Sequence, residues 1–534
     1  MKNVIKAEET EIEIVEEKKD KEDLSSIQEK VLNNKESDKV ARQIINYLQK
    51  KGDFYMVNGD MYFFYIPRKQ LIKIDKTHTS ISDMLYREFG ILKGNHCFTS
   101  TVNSIAGIPK ALNAKETTFK RSSHYDDEAN TVYLSLTESK LMKITKNRVE
   151  YVNNGTDNVL FSLNRACMMG DIEYMKNSSK DDFYSDILGA RYKDDNSGIT
   201  VQEKELLLFS WIMTFFFPSL NETKMLALFI GGKGTGKTTI QQNIGSLLLG
   251  TDYKVTNFDT SSIDAVTTNK TLVAYDNAEA ILNTQDLDKL ASISTGGGVE
   301  KRALYTTNEM LSYDRQCNVS FSAMNPNFRR KDIAQRTLIF ELDRPENSSY
   351  RGSSRNKKTN NTKRNNQMSF LIDTIQKMLS ILEKPRPEYE ESLFRMSDFA
   401  SFTKYLFEAI SENEELPNKI HDKVEGLLNK LKNKQNEYSH QTQTLPIFLK
   451  RWVQGSKNSH TPNDGRKITA GDLHVELIET ANKMSMKDKY SFNTPQALGF
   501  ALKASKEEYE KEFDMKTGNH SGRQTYQFHL KKDL

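Results

Sequence analysis

The chain has 534 residues, room for about three domains of ordinary size. Its 76 basic and 72 acidic side chains leave a formal charge of +4, too small a surplus to establish a nucleic-acid partner by itself. Its 3 cysteines (Cys97, Cys167 and Cys317) are odd in number and far apart, which argues against a disulfide framework, and the lack of a Cys-x-x-Cys or Cys/His cluster argues against a zinc site.

Residues 1–39 are dense in Glu and Lys, have no apolar signal core, and predict a charged disordered tail. Residues 40–184 predict a small α+β N-terminal domain, a DNA-binding or oligomerisation collar. Ala41–Gly52 has the spacing of an amphipathic helix, and Phe54–Asp75 that of a β-hairpin turning at Asn58-Gly59. Thr131–Val152 alternates as short strands, while Asp126 and Asp127 fall in a polar loop and form no metal-binding carboxylate pair. Primer synthesis has no residues to support it here.

Residues 185–344 alternate strand and helix patterns. Leu206–Leu220 is the most apolar segment, but it is too short to span a bilayer and contains Pro218, so it predicts a buried helix. The expectation is therefore a protein of the cytoplasm, in a bacterial host cell, with no membrane partner. Met225–Ile230 is an apolar strand that runs into Gly231, Gly232, Lys233, Gly234, Thr235, Gly236, Lys237, Thr238 and Thr239, satisfying G-x-x-x-x-G-K-T before a helical pattern. Glycines let backbone N–H groups converge on a polyphosphate, and the following helix points its positive end at the same anion. Lys237 would reach the β/γ-phosphates of ATP and Thr238 would hold Mg²⁺. Lys270–Tyr275 is a second buried strand, expected as the neighbour of the first, and it delivers Asp276 at its tip as the acid that binds Mg²⁺ through water. The adjacent position, where a second acid would be expected, is Asn277, which leaves Glu279 as the nearest carboxylate for polarising a water.

Residues 345–367 are rich in Ser, Asn, Arg and Lys, Arg364 among them, and predict a basic flexible linker. Residues 368–455 predict a helical lid and connector, with amphipathic helices over Met368–Glu383, Asp398–Ser411 and Asn418–Gln435. Residues 456–534 give helix, helix, hairpin (Thr469–Met484, Thr494–Ala504 and Gly518–Leu530), the order of a winged-helix domain. Lys503 and Arg523 are its candidate DNA contacts, with Lys467, Lys506 and His520 nearby and Glu507, Glu508 and Glu510 opposing a basic face.

The stretch Ile293–Leu342 resembles superfamily III helicases, the phage- and plasmid-type ATPases related to poxvirus primase-helicases. The matching residues are Ser294–Gly298, Arg302–Tyr305, the strand Val319–Met324 ending in Asn325-Pro326, and Asp332 with Arg336; Phe394–Ala400 looks like the lid segment of the same ATPases. The likeness runs over about residues 206–400. It implies an α/β fold with an AAA+ P-loop NTPase core, assembled as a homo-oligomeric ring, a hexamer, around single-stranded DNA. Asn325 would orient the lytic water. Arg336 would be the arginine finger that completes a neighbour's site, with Arg330 and Arg329 as rivals. A hairpin between the acid strand and the sensor strand would carry Lys301, Arg302 and Arg315 to DNA. The implied function is a replicative helicase of a phage or mobile element; the alternative is an ATP-gated switch, a helicase loader or defence-system sensor, with slow hydrolysis.

Overall fold

The computed structural model describes residues 24–31, 37–194, 197–259, 261–278, 284–302, 310–313, 317–324, 330–344, 353–384, 394–411, 417–440, 444–455, 463–484, 490, 492, 494–504, 513–520 and 523–530. Helices α1 (residues 24–31) and α2 (Ser37–Lys51) precede strands β1 (Gly52–Val57), β2 (Asp60–Tyr65) and β3 (Gln70–Lys73). Helices α3 (Thr79–Phe89) and α4 (His96–Gly107) and the short β4 (Lys115–Glu116) complete a four-stranded sheet of order β3-β2-β1-β4. The hairpin turns where the sequence predicts, because Asn58 (φ 50°) and Gly59 (φ 82°) both adopt the left-handed conformation that matches strand twist. Helix α1 corrects the expected tail. Ile27 and Val31, one helical turn apart, are buried in the same core as Ile44, Phe63 and Leu85, so the first core starts within the stretch read as solvated.

Strands β5 (Ser123–Asp126), β6 (Thr131–Ser135), β7 (Lys140–Ile144) and β8 (Val149–Asn153) form an antiparallel meander. Asp126 thus ends a strand, with Asp127 just after it. The face carrying Tyr125, Val132, Leu134 and Ile144 packs into one core with Leu208, Phe217 and Ile244 further along the chain. The expected single unit over 40–184 is therefore divided: its first half has its own core, and its second is continuous with the nucleotide-binding core. Helix α5 (Asp181–Phe183) leads to α6 (Val201–Met213), the buried helix expected ahead of the first parallel strand. Thr200 and Glu203 form a reciprocal cap at its start, Glu203 N donating to Thr200 Oγ1 at 3.3 Å and Thr200 N to Glu203 Oε2 at 2.7 Å.

Then come β9 (Leu226–Ile230), α7 (Lys237–Leu249), β10 (Thr256–Asn257), α8 (Ile263–Asn269), β11 (Leu272–Asp276), α9 (Thr284–Ser294), β12 (Val299–Arg302), β13 (Met310–Tyr313), β14 (Asn318–Ala323), α10 (Lys331–Ala334) and β15 (Thr337–Glu341). Five of these strands make a wholly parallel sheet of order β10-β11-β14-β9-β15. Consecutive rather than alternating residues are buried along β9, β11, β14 and β15, as required of a parallel sheet covered on both faces. This is an α/β NTPase-like core. Strands β12 and β13 pair antiparallel as a hairpin between β11 and β14, where the sequence places an insertion.

Helices α11 (Ser353–Leu382), α12 (Ser397–Ile410) and α13 (Pro417–His440) follow, then α14 (Thr444–Gln454), β16 (Ile468–Thr469), α15 (Ala470–Lys483), α16 (Pro495–Ala504), β17 (Phe513–His520) and β18 (Arg523–Leu530). Leu445, Phe448 and Trp452 of α14 share a core with Leu473, Leu498 and Phe528, so α14 packs with the C-terminal unit and not with the helices before it. The C-terminal sheet has the order β16-β18-β17. Among the described residues no helix is long and apolar enough to cross a membrane.

The expected linker over 345–367 is also corrected, since α11 begins at Ser353. Arg364 is 8% exposed. Its guanidinium donates to Ser246 O (3.1 Å), Leu247 O (3.0 Å), Asp171 O (3.2 Å) and Met169 O. Two of these carbonyls belong to the last turn of α7, the negative end of its dipole. Burial pushes the Arg364 pKa down to about 10, so the charge is held by carbonyls at a desolvation cost. Arg364→Ala would strand those acceptors and is expected to destabilise the chain by about 3 kcal/mol. A urea denaturation midpoint equal to that of the parent chain would refute this.

Candidate nucleotide-binding site

The phosphate loop leaves the sheet at Ile230 and enters α7 at Lys237. Gly236 has φ 88°, a turn that β-carbons disfavour. Gly231 is needed for space instead: a β-carbon there would lie 2.6 Å from Thr235 Oγ1 and 2.7 Å from Leu342 O. Lys237 Nζ donates to Gly231 O (2.6 Å) and Gly232 O (3.0 Å), so its ammonium lies folded over the loop. Thr235 Oγ1 donates to Gly232 O at 3.0 Å, while Lys233, Thr238 and Thr239 are exposed at the mouth. A polyphosphate entering this loop would meet the start of α7, with its unpaired N–H groups, and the Lys237 ammonium.

Asp276 stands at the same edge of the sheet, one strand further out than the sequence reading placed it, because β14 lies between β9 and β11. Thr238 Oγ1 donates to Asp276 Oδ2 at 3.1 Å. The other oxygen, Oδ1, accepts from Ser322 Oγ and, at 3.0 Å, from the backbone N–H of Asn277. A hydroxyl and a carboxylate side by side are hard oxygen donors of the kind Mg²⁺ takes, and Mg²⁺ usually keeps several waters and a substrate phosphate as its remaining ligands. Thr238 and Asp276 are thus a donor pair that fits the ion; among the described residues no group of three or more His, Cys, Asp or Glu side chains is placed to hold a metal. From below, buried Gln241 of α7 donates to Ser320 Oγ (3.0 Å) and Tyr275 O (3.3 Å), tying the helix to β14 and β11.

Two contributors escaped the sequence reading. Ser322, buried in β14, has no marker in its sequence; only its level opposite Asp276 shows its role. Arg344, just past β15, donates from Nη2 to Lys233 O at 3.3 Å and so borders the loop. Asn277 has φ 57°, and its Nδ2 donates to Asn257 Oδ1 at 3.1 Å, so the position expected to hold a second acid holds an amide tied to β10.

The other candidates lie away from this cluster or outside the described residues. Asn325, Glu279, Arg315 and Arg329 are outside them. Strand β14 ends at Ala323, level with Ile230 of β9. Lys301 and Arg302 are on β12, opposite Leu311 and Met310. Lys503 is in α16, Arg523 begins β18 opposite His520, and Lys467 is exposed before β16. Arg336 precedes β15, and its carbonyl accepts from Leu226 N (2.8 Å) at the start of β9. That is the opposite edge of the sheet from the phosphate loop, about 15 Å away along the strand. Arg330 is held by carboxylates: Nε and Nη2 donate to Asp332 (2.6 and 2.8 Å) and Nη1 to Asp288 (2.8 Å).

A parallel five-stranded sheet with a glycine-rich loop after β9 and an acid beside the threonine of that loop fits an α/β NTPase-like core. Among solved structures the chain is similar to the C-terminal region of NrS-1 in its A form apo structure (10% identity, 91% of this chain and 97% of that one covered, TM-score 0.38). It is likewise similar to the SCCmec type IV Cch protein, described as an active helicase (12% identity, 88% of this chain and 90% of that one, TM-score 0.41). No protein-family model matches the chain, and no curated protein matches its sequence.

Ser322→Ala would free the Asp276 carboxylate to rotate. It is expected to raise the Mg²⁺ concentration needed for half-maximal nucleotide binding about tenfold, while metal-free binding stays as it was. Titrating Mg²⁺ against a fluorescent ATP analogue measures both, and equal curves for the two chains would exclude the role.

Proposed function

We propose that the chain is an ATP-driven DNA helicase or translocase that works as a hexameric ring in the replication of a phage or mobile genetic element, in the cytoplasm of a bacterial host. The observation that carries this reading is the Lys237, Thr238 and Asp276 cluster at one edge of a parallel sheet, with the β12–β13 hairpin inserted between acid strand and β14.

Lys237 leaves its two loop carbonyls for the β/γ-phosphates of ATP, and backbone N–H groups of residues 231–239 cradle the rest. Bound Mg²⁺ would neutralise charge developing on the phosphates. Thr238 and Asp276 would hold it, with Ser322 keeping the carboxylate turned toward Thr238. Asn325 orients the water, with Glu279 as the nearest acid to polarise it. Arg336, too far from its own loop, serves the site of a neighbouring subunit. Lys301, Arg302 and Arg315 contact single-stranded DNA in the pore through phosphates, so binding is salt-dependent and tolerant of sequence. The C-terminal unit is a winged-helix domain that brings Lys503 and Arg523 to duplex DNA, and the N-terminal unit is a collar for DNA or neighbouring subunits.

One observation favours a second reading, an ATP-gated switch such as a helicase loader or defence-system sensor. Asn277 puts an amide where an acid would speed hydrolysis, and slow hydrolysis suits a switch.

Steady-state ATPase with and without single-stranded DNA, run beside unwinding of a forked duplex at one salt concentration, separates the two. Stimulation with strand displacement is expected, and Lys237→Ala is expected to abolish both. Slow turnover indifferent to DNA would instead select the switch, and full activity in Lys237→Ala would discard the phosphate-loop assignment.

A further inference from the structure

Residues 222–224, just ahead of β9, are gripped by two other parts of the chain. Thr223 donates to Asp398 Oδ2 at the start of α12, from its backbone N–H (2.9 Å) and from its hydroxyl (2.8 Å). Lys224 is clasped by Ser294, the last residue of α9: Lys224 N donates to Ser294 O, and Ser294 Oγ to Lys224 O, both at 2.7 Å. Ser294 is 0% exposed and Lys224 3%, so water does not compete for either bond. Past the clasp the chain turns through Gly296, whose φ is 68° and where a β-carbon would lie 2.9 Å from Glu222 O. Gly297 N then donates to Ser292 O (2.9 Å), and β12 begins at Val299. The Ser294–Gly298 turn marked in the sequence is therefore a buried fastening between the root of the β12–β13 hairpin and the entry to β9.

We propose that Ser294 is a positioning residue that couples a nucleotide in the phosphate loop to single-stranded DNA on the β12–β13 hairpin, acting through Lys224. This rests on the ATPase and hairpin readings above and adds to them a route between the two sites. Strand β9 is the link. It is paired with β14 on one side and β15 on the other, so it moves with the sheet rather than bending alone, and its far end opens into the phosphate loop. A displacement of the loop is thereby carried about 15 Å along the strand to Lys224, and the clasp passes it to the root of the hairpin. The Ser294 side-chain hydrogen bond reaches neither site, so its loss should spare binding at each and weaken only the dependence of one on the other. That dependence is reciprocal: the factor by which nucleotide changes affinity for the strand is the factor by which the strand changes affinity for nucleotide.

The test uses the full chain, a non-hydrolysable ATP analogue with Mg²⁺ and a fluorescent oligothymidylate at one salt concentration. In the parent, saturating analogue should change affinity for the oligonucleotide about tenfold, and saturating oligonucleotide should change affinity for the analogue by the same factor. In Ser294→Ala each affinity, measured with the other ligand absent, should stay within about twofold of the parent, while the coupling factor falls below about threefold. Ser294→Thr, which keeps the hydroxyl, should retain most of the coupling. A merely structural role would lower the urea midpoint and leave the factor alone. Gly296→Ala, which drives a β-carbon against Glu222 O, should reduce the factor in the same way and replaces Ser294→Ala if that chain does not fold. Undiminished coupling in the folded variant overturns the proposal, as does a parent that binds both ligands with neither affecting the other. A parent that binds no analogue would instead sink the nucleotide reading, and one that binds analogue but no oligonucleotide the hairpin reading; the clasp's role falls with either.

Discussion

The hydrogen bond from Thr238 to Asp276 joins helix α7, which follows β9, to strand β11, which β14 separates from β9, and most of the architecture serves to hold it. At the mouth of the site such a bond contributes about 1 kcal/mol, far too little to position a helix and two strands by itself. The elements must arrive already aligned. Strand β14 sets the spacing by lying between β9 and β11, and its Ser322 fixes the carboxylate from the side. Gln241 ties α7 to the same strands from inside the core, and Arg364 ties the far end of α7 to α11. The phosphate-loop helix is thus anchored at both ends, with its first turn left open for an anion.

Charge is distributed with the same economy. Several lysines and arginines sit in exposed ion pairs such as Lys115–Asp53, Lys146–Glu383 and Arg148–Glu150, worth little to stability but effective in cancelling local fields. Lys237 at one edge of the sheet donates to two loop carbonyls, and Arg336 at the other approaches Asp332, a carboxylate that Arg330 also engages.

How much of this was legible in the sequence depended on how local each signal was. The phosphate loop, its strand and its helix are contiguous, so spacing alone located them, and the Asn58-Gly59 turn was readable for the same reason. The buried strand ending in Asp276 was readable from its run of apolar residues, yet its distance from the loop in strand order was misjudged, since strand order is set by pairing between remote segments. Ser322 and Arg364 were illegible. The first is an ordinary serine in an apolar strand, and the second sits in a stretch whose Ser, Asn and Lys content reads as solvated. The partners that bury Arg364 come from Met169, Asp171, Ser246 and Leu247, all more than a hundred positions away. Residues 24–31 misled for a related reason: two apolar side chains on one helical face are enough to join a core, and bulk composition hides them.

Asn277 bears on the proposed chemistry more than its small size suggests. A carboxamide does not take a proton from water near neutral pH, so it cannot replace a general base. Phosphoryl transfer through a loose transition state asks for little deprotonation, however, and much for orientation and for charge placed around the γ-phosphate. The Nδ2 of Asn277 is engaged by Asn257, and its left-handed backbone turns its N–H onto Asp276, so the residue is fixed by two strands rather than free to swing. Such a residue can order the edge of the site and keep Asp276 aimed, leaving the rate to depend on the charges supplied around the phosphate. Under the ATPase reading proposed above, the arginines at the far edge would then carry more of the catalytic burden than they would beside a carboxylate base, and assembly of subunits would be the event that switches hydrolysis on.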